Sequence, residues 1–354
     1  MRLFSNLIAF FVLLSIGLLL HAEDGLRMRG LENRVQKLEQ KSPSPALPVT
    51  PHAGPRVNRG IDMFLFGELL YWTGRLDTLT YAKTGPLTTI EGLTRRGTDH
   101  SVNWQWDPGF KVGVGWNFDH GEWDMLLKYT WFYTKATGNT NETVHPNFAI
   151  AFLSQTTAVG AKAEWDLHYQ TGDFEFGRNF FVHRYLKLRP FIGVKGTWQK
   201  QDQTTRFLDL VFNQTTYLTA RTQFNHAIWG LGPRAGMSSA WHFSHWASLY
   251  GDFALSGLWL HYNTERRGRL DTAENQLTIF PLRKKLRITK PIIELGLGLR
   301  FESYFGCRRL HLLFQFGWET QIWTNQTLYI DLNDTLKRFD LLLHGGVAKL
   351  RFDF

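Results

Sequence analysis

From Ile61 to the C-terminus the chain alternates apolar and polar residues in long runs separated by turn signals. A period of two sends successive side chains to opposite faces of an extended strand. Ten runs are present, at about 61–74, 108–119, 122–136, 160–180, 187–201, 226–241, 246–263, 288–304, 309–324 and 339–354. In 122–136 one face holds Trp123, Met125, Leu127, Tyr129, Trp131 and Tyr133, and the other Asp124, Lys128 and Thr130. In 288–304 the outward set is Ile293, Leu295, Leu297, Leu299 and Phe301, against Glu294, Gly296, Gly298, Arg300 and Glu302. Connections near Asp119–Gly121, Phe181–Leu186, His242–His245 and Gly306–Arg308 are short, and those near 75–107, 137–159, 202–225, 264–287 and 325–338 are long. Soluble sandwich strands usually run about 5–6 residues. Runs of about 12 or more are long enough to cross a bilayer at a tilt. Short turns at one end and long loops at the other predict an all-β transmembrane antiparallel β-barrel with both ends of the domain on the periplasmic side. The pieces AIAFL (149–153) and TYLTA (216–220) are either hairpin extensions or an extra hairpin that makes twelve strands.

Before the barrel, residues 1–22 have a basic start (Arg2), an apolar core from Leu7 to Leu20 and a Leu-His-Ala cleavage site after Ala22, although Leu20 is bulky for its place. This is signal-peptide patterning. The rival reading, a retained anchor, falls short of the roughly 20 apolar residues that span comfortably. In 23–41, Met28, Leu31, Val35 and Leu38 fall at heptad a/d spacing. That stretch is a coiled-coil stem gathering a homotrimer, a single amphipathic helix, or a disordered stub; two heptads do not decide. The Pro-rich segment 42–60 is an extended linker.

Composition sharpens this. Mean hydropathy is −0.25, which excludes a multi-helix membrane protein but not a barrel, whose strands dilute their own hydropathy. The 14 Trp and 28 Phe suit aromatic girdles at two membrane interfaces. The net charge of +9 comes without zinc-ligand spacing or a helix-turn-helix pattern, so nucleic acid is not an expected partner. No cofactor or metal motif is present.

The last strand ends KLRFDF, with Leu350, Phe352 and Phe354 on one face. It resembles the signal read by the bacterial barrel-assembly machinery. The segments FLFGELLYWTGRLDTLTYA (64–82), GRNFFVHRYLKLRPFIGVKG (177–196) and WGLGPRAGMSSAWHF (229–243), with the RFDF ending, resemble the pore-forming major outer-membrane proteins of legionella and chlamydia-like bacteria. The resemblance covers nearly all of 61–354. It implies a β-barrel of the bacterial outer membrane with passive diffusion or surface-structural roles, and no catalytic residue.

If the large apolar faces meet lipid, the lumen receives Lys111, Lys128, Lys162, Lys195, Arg234, Arg300, Lys349 and Arg351, with Glu68, Asp124, Glu164, Asp166, Asp252, Glu294, Glu302 and Glu319. A charge facing lipid instead would cost about 2–4 kcal/mol at the midplane. Glycines 113, 115, 193, 230, 232, 296 and 298 lie on or near this face and leave space or permit close approach. Such an interior is a narrow aqueous channel or a salt-bridged plug. Arg266, Arg267, Arg269, Arg283, Lys284, Lys285 and Arg287 cluster in one expected extracellular loop. There they attract anionic solutes, bind lipopolysaccharide phosphates, or are simply solvated. His242-Phe243-Ser244 matches a His-x-Ser pair of barrel lipid A deacylases, but in an expected turn without an acidic partner nearby in sequence; G-x-S-x-G and H-E-x-x-H are absent. The sequons at Asn141, Asn213, Asn325 and Asn333 fall in expected exterior loops. Cys307, the single cysteine, beside Arg308 and Arg309 in a periplasmic turn, is a thiol suited to intermolecular pairing or one shielded by neighbouring turns. The leading expectation is a porin-like channel for small hydrophilic solutes. The alternative is a non-conducting structural or adhesive surface protein, and a barrel enzyme stands third.

Overall fold

The computed structural model describes residues 53–55, 57, 62–76, 79–85, 97–118, 121–146, 157–212, 215–272, 275–306, 309–330 and 336–354. The expected signal peptide and stem, most of the linker, AIAFL, Asn213, Asn333 and Cys307 lie outside the described residues. Among the described residues fourteen strands form: β1 (Met63–Leu76), β2 (Thr80–Lys83), β3 (Asp99–Ser101), β4 (Asp107–Asn117), β5 (Trp123–Thr140), β6 (His145–Pro146), β7 (Gly160–Arg178), β8 (Phe180–His183), β9 (Leu186–Phe212), β10 (Thr215–His242), β11 (Ala247–Asp271), β12 (Gln276–Phe305), β13 (Leu310–Ile330) and β14 (Leu336–Asp353).

The barrel runs β1-β4-β5-β7-β9-β10-β11-β12-β13-β14, all antiparallel, and β14 pairs back onto β1. The ten sequence runs correspond to these ten strands. β8 is an extra strip folded onto β9. Met63 and Phe354 exchange backbone hydrogen bonds of 3.2 and 3.0 Å, so the C-terminal residue completes the seam. Closure leaves no unpaired sheet edge in the bilayer, where each orphan backbone group is costly.

The described residues of three expected loops are largely strand. β9 and β10 pair as far as Phe212 and Thr215, and TYLTA is part of this hairpin extension. β11 and β12 run on to Asp271 and Gln276, and β13 and β14 to Ile330 and Leu336. Their outward residues above the membrane are polar, so the runs lack the aromatic face that marked the strands lower down. Asn325 is not in a loop. It sits in β13 at a register break between Trp323 and Thr327, with φ 51°, and its N–H donates to Asp340.

Two aromatic girdles ring the wall. Trp131, Trp198, Trp229, Trp259, Trp318 and Trp106 lie toward the long-hairpin end, and Trp116, Trp123, Trp241 and Trp246 toward the short-turn end. On β10, Trp229 and Trp241 are twelve residues apart, which at ~3.4 Å per residue and a ~40° tilt spans about 31 Å, the thickness of a bilayer core. Between them Leu231, Phe253, Leu255, Leu297 and Ile192 are exposed on the outer wall. The small sheet β3-β2-β6 lies in the connections at the long-hairpin end. Its Tyr81 and Ala82, with the neighbouring Val144, join one apolar cluster with Trp72, Trp165 and Trp323 from the barrel interior.

Candidate functional site: the barrel interior

Strand parity decides what enters the lumen. Glu68, Lys111, Asp124, Lys128, Lys195, Arg234, Asp252, Glu294, Arg300, Glu302, Glu319, Lys349 and Arg351 are at inward register positions. Lys162, Glu164 and Asp166 are not. On β7 the inward residues are Trp165, Leu167, Tyr169, Asp173 and Glu175, so those three charges face outward, above the girdle where the outer wall meets water. The same parity brings in Asp173, Glu175 and Arg189, which were not expected there.

Between the girdles many of these residues form two ion-paired clusters, one around Lys111 and a larger one running from Lys128 to Asp124. Lys111 Nζ lies 3.0 Å from Glu68 and also bonds Glu319. Lys128 meets Asp173 at 3.3 Å and Glu175 at 3.4 Å. Lys195 meets Asp173 at 2.7 Å and Glu294 at 3.0 Å. Arg234 bonds Glu294 and approaches Glu175 at 3.5 Å. Arg189 pairs with Glu175 at 3.0 Å and with Asp124, which also accepts from Asn179 at 2.6 Å. Charges buried on this scale persist only when paired and hydrogen-bonded. Expected spacer glycines do not open the lumen here. The rings of Phe66 and Phe64 lie on Gly113 and Gly115, where an added Cβ would meet them at 2.3 and 2.0 Å.

Toward the short turns a cavity of about 290 Å³ opens below these clusters, lined among others by Glu68, Lys187, Asp252, Arg300, Glu302 and Lys349. Gly54, whose N–H donates to Glu122 at 2.8 Å, is part of its rim. His242 also lines it, while the Ser244 N–H closes the β10–β11 turn on Ala247 O at 3.1 Å.

At and above the long-hairpin girdle the interior changes character. Every barrel strand contributes a buried inward residue: Trp72, Gly109, Phe132, Tyr169, Gln199, Ile228, Leu258, Ile292, Trp323 and Leu343. Tyr169 on β7 and Gln321 on β13 stand five strands apart either way round the ring of ten. The Tyr169 hydroxyl nonetheless donates to Gln321 at 2.7 Å. Gln326 donates to Gln199 at 2.9 Å and Thr327 to Gln201 at 2.8 Å, again from β13 to β9 across the lumen. These polar side chains find partners on the opposite wall, as buried polar groups generally do, although the Gln201 Nε2 has none.

The basic cluster expected in a loop is divided by parity along β11 and β12. Arg267, Arg269, Arg283, Lys285 and Arg287 lie on the outer wall, and Arg266 and Lys284 are on the inward side. Arg266 is buried with its guanidinium 5.6 Å from the Phe224 ring centroid. At the C-terminus, Leu350 and Phe352 are outward and exposed on the lipid-facing wall.

A family model described as Legionella pneumophila major outer membrane protein precursor matches residues 59–354. The chain belongs to this family. That match spans the whole barrel and fixes the bacterial outer membrane as its location. Among curated proteins none is similar to this family member. The outer membrane protease OmpT of Escherichia coli is similar in structure at 11% identity, covering 84% of this chain and 98% of OmpT, with a TM-score of 0.43. The outer membrane protein AlkL, solved in lipid bilayers, is 11% identical, covering 72% of this chain and 95% of AlkL, with a TM-score of 0.28. A Pseudomonas aeruginosa FadL homologue is 8% identical, covering 82% and 89%, with a TM-score of 0.26.

Proposed function

We propose that this family member is an anchored outer-membrane surface barrel that is non-conducting in the state described, with its lumen sealed at the outer girdle and no catalytic role. One observation supports the reading most directly. Tyr169 and Trp323, from opposite walls, meet edge to face with centroids 5.7 Å apart, and both are 0% exposed. A general-diffusion pore needs a continuous water column. Ten strands lie close to the eight-strand limit at which side chains fill the interior.

A second reading, a porin-like channel for small hydrophilic solutes, draws on the resemblance to pore-forming proteins and on the 290 Å³ cavity beneath the seal. A cavity lined by both signs of charge hydrates ions, and conduction then requires the aromatic layer to move. Planar-bilayer recording of purified folded protein separates the two. The closed reading predicts no steady current steps from the wild type. It predicts steps from the Trp72→Ala/Trp323→Ala variant once heat-modifiable gel mobility shows that this variant is folded. Long-lived steps from the wild type would overturn it in favour of the channel.

A further inference from the structure

The outer wall above the long-hairpin girdle has an uneven charge distribution. On β11 and β12 a ladder of cations starts at the girdle itself. Arg287 is paired in register with His261, whose ring stacks on girdle residue Trp229 at 4.2 Å and 2°. Lys285 and Arg283 follow at outward positions, each exposed, with Glu265 shared between Arg283 at 3.1 Å and Arg267 at 2.9 Å, so one carboxylate meets two guanidiniums and the ladder keeps a net positive charge. At ~3.4 Å per residue and a ~40° tilt, each two-residue step climbs about 5 Å. Lys285 and Arg283 therefore stand about 5 and 10 Å above the indoles, in the zone of outer-leaflet headgroups.

Higher up, the ladder meets a row. Lys162, Arg206, Arg221 and Arg269 are direct register partners across β7, β9, β10 and β11, all outward. Neighbouring strands lie about 4.8 Å apart, and like charges directly opposite destabilise a sheet. Arg269 is compensated by Asp271 at 2.7 Å. The Nε of Arg221 is buried without a hydrogen-bond partner. Eight residues separate Arg221 from Trp229, so the row stands roughly 20 Å above the girdle. Elsewhere on this wall charges are matched: Lys135 with Glu164 at 3.8 Å, and Lys200 with Asp202 at 2.8 Å.

We propose that this L-shaped cationic ridge binds a phosphorylated, acidic glycolipid of the outer leaflet, a lipopolysaccharide. Its lipid phosphates sit at the foot, on Arg287 and Lys285, and the acidic groups of its core sugars reach the row. The charge complementarity is stepwise. Anions at the headgroup plane meet the foot, and only an occupant extending about 20 Å from the membrane surface reaches both sites. Guanidinium forks bind phosphate and carboxylate oxygens bidentately, and the girdle indoles provide an apolar floor for the acyl chains.

The test is retention of lipid by the purified, folded full barrel after detergent washing, read by native mass spectrometry. It compares full-length lipopolysaccharide, phosphorylated lipid A and dephosphorylated lipid A, with inorganic phosphate as a competitor. Wild type should retain the first two at least tenfold better than the third, and inorganic phosphate should not displace them. Lys285→Gln/Arg287→Gln should lose both phosphorylated lipids. Lys162→Gln/Arg206→Gln/Arg221→Gln should lose preference for full-length lipopolysaccharide over lipid A and keep lipid A. All these positions lie on the outer wall, so folding should survive, and relieving the row should not lower the melting temperature. Lys135→Gln should behave as wild type. Equal retention of dephosphorylated lipid A, unchanged retention by the foot variant, or displacement by phosphate would overturn the proposal. So would heparin binding to the row with no lipid dependence, which would give the surface to a soluble polyanion.

Discussion

Strand β7 shows two halves of one molecule built on opposite rules. Below Gln170 its outward residues are Phe174 and Phe176 and its inward ones Asp173 and Glu175; above it the outward residues are Lys162, Glu164, Asp166 and His168 and the inward ones Trp165, Leu167 and Tyr169. Parity never changes along the strand, yet the polar face switches sides at the girdle. In the membrane half the solvent outside is hydrocarbon, so charges must go inward and pair. In the projecting half the solvent outside is water, and the interior is a packed core of apolar rings with uncharged glutamines and threonines hydrogen-bonded among them. Short turns face the periplasm in outer-membrane barrels, which makes the projecting half extracellular.

The largest effects should come from mixing the two interiors. Arg234→Leu removes the cation from two buried carboxylates, Glu294 and Glu175, and should cost about 3–5 kcal/mol. Trp165→Ala, fully buried above the girdle, should cost about the same for a different reason, the cavity it leaves. Urea unfolding in lipid vesicles measures both. Indifference to Arg234→Leu would mean that the lower lumen is wet rather than a paired network.

A matched pair of substitutions on the outer face of β11 sharpens the contrast. Leu255→Lys places a cation toward hydrocarbon and should cost about 2–4 kcal/mol. Asn263→Lys, eight residues further up the same face, should fall within about 0.5 kcal/mol of wild type. Equal costs would abolish the boundary between them. Least of all, Lys135→Ala breaks a half-exposed pair with Glu164 and should cost less than about 1 kcal/mol.

The lower half was legible in the sequence because its outward face is aromatic and its inward face charged, a contrast that alternation exposes directly. Asp124, Lys128, Lys195 and Glu294 were read onto the right wall for that reason. The upper half was misread for the same reason. Assigning every charged face to the lumen put Lys162, Glu164 and Asp166 inside, and the polar outer faces of 202–225 and 264–287 looked like loop. The signal was nevertheless there: in 160–177 the charged positions pass from even (162, 164, 166) to odd (173, 175) across Gln170. A phase flip without a change in strand parity marks where a barrel leaves the membrane. The cross-lumen contacts Tyr169–Gln321 and Thr327–Gln201 join residues more than a hundred positions apart, and no local pattern reports them.

The most direct test of the inside-out switch is a spin-label accessibility scan on β11 in a Cys307→Ser background. Labels are placed at the outward positions Phe253, Leu255, Gly257, Trp259, His261, Asn263 and Glu265, and each is measured with molecular oxygen and with a water-soluble nickel chelate. The account predicts oxygen-dominated relaxation from Phe253 to Gly257, a crossover at Trp259–His261, and nickel-dominated relaxation at Asn263 and Glu265. A crossover elsewhere on the strand, or oxygen dominance continuing through Glu265, would contradict it.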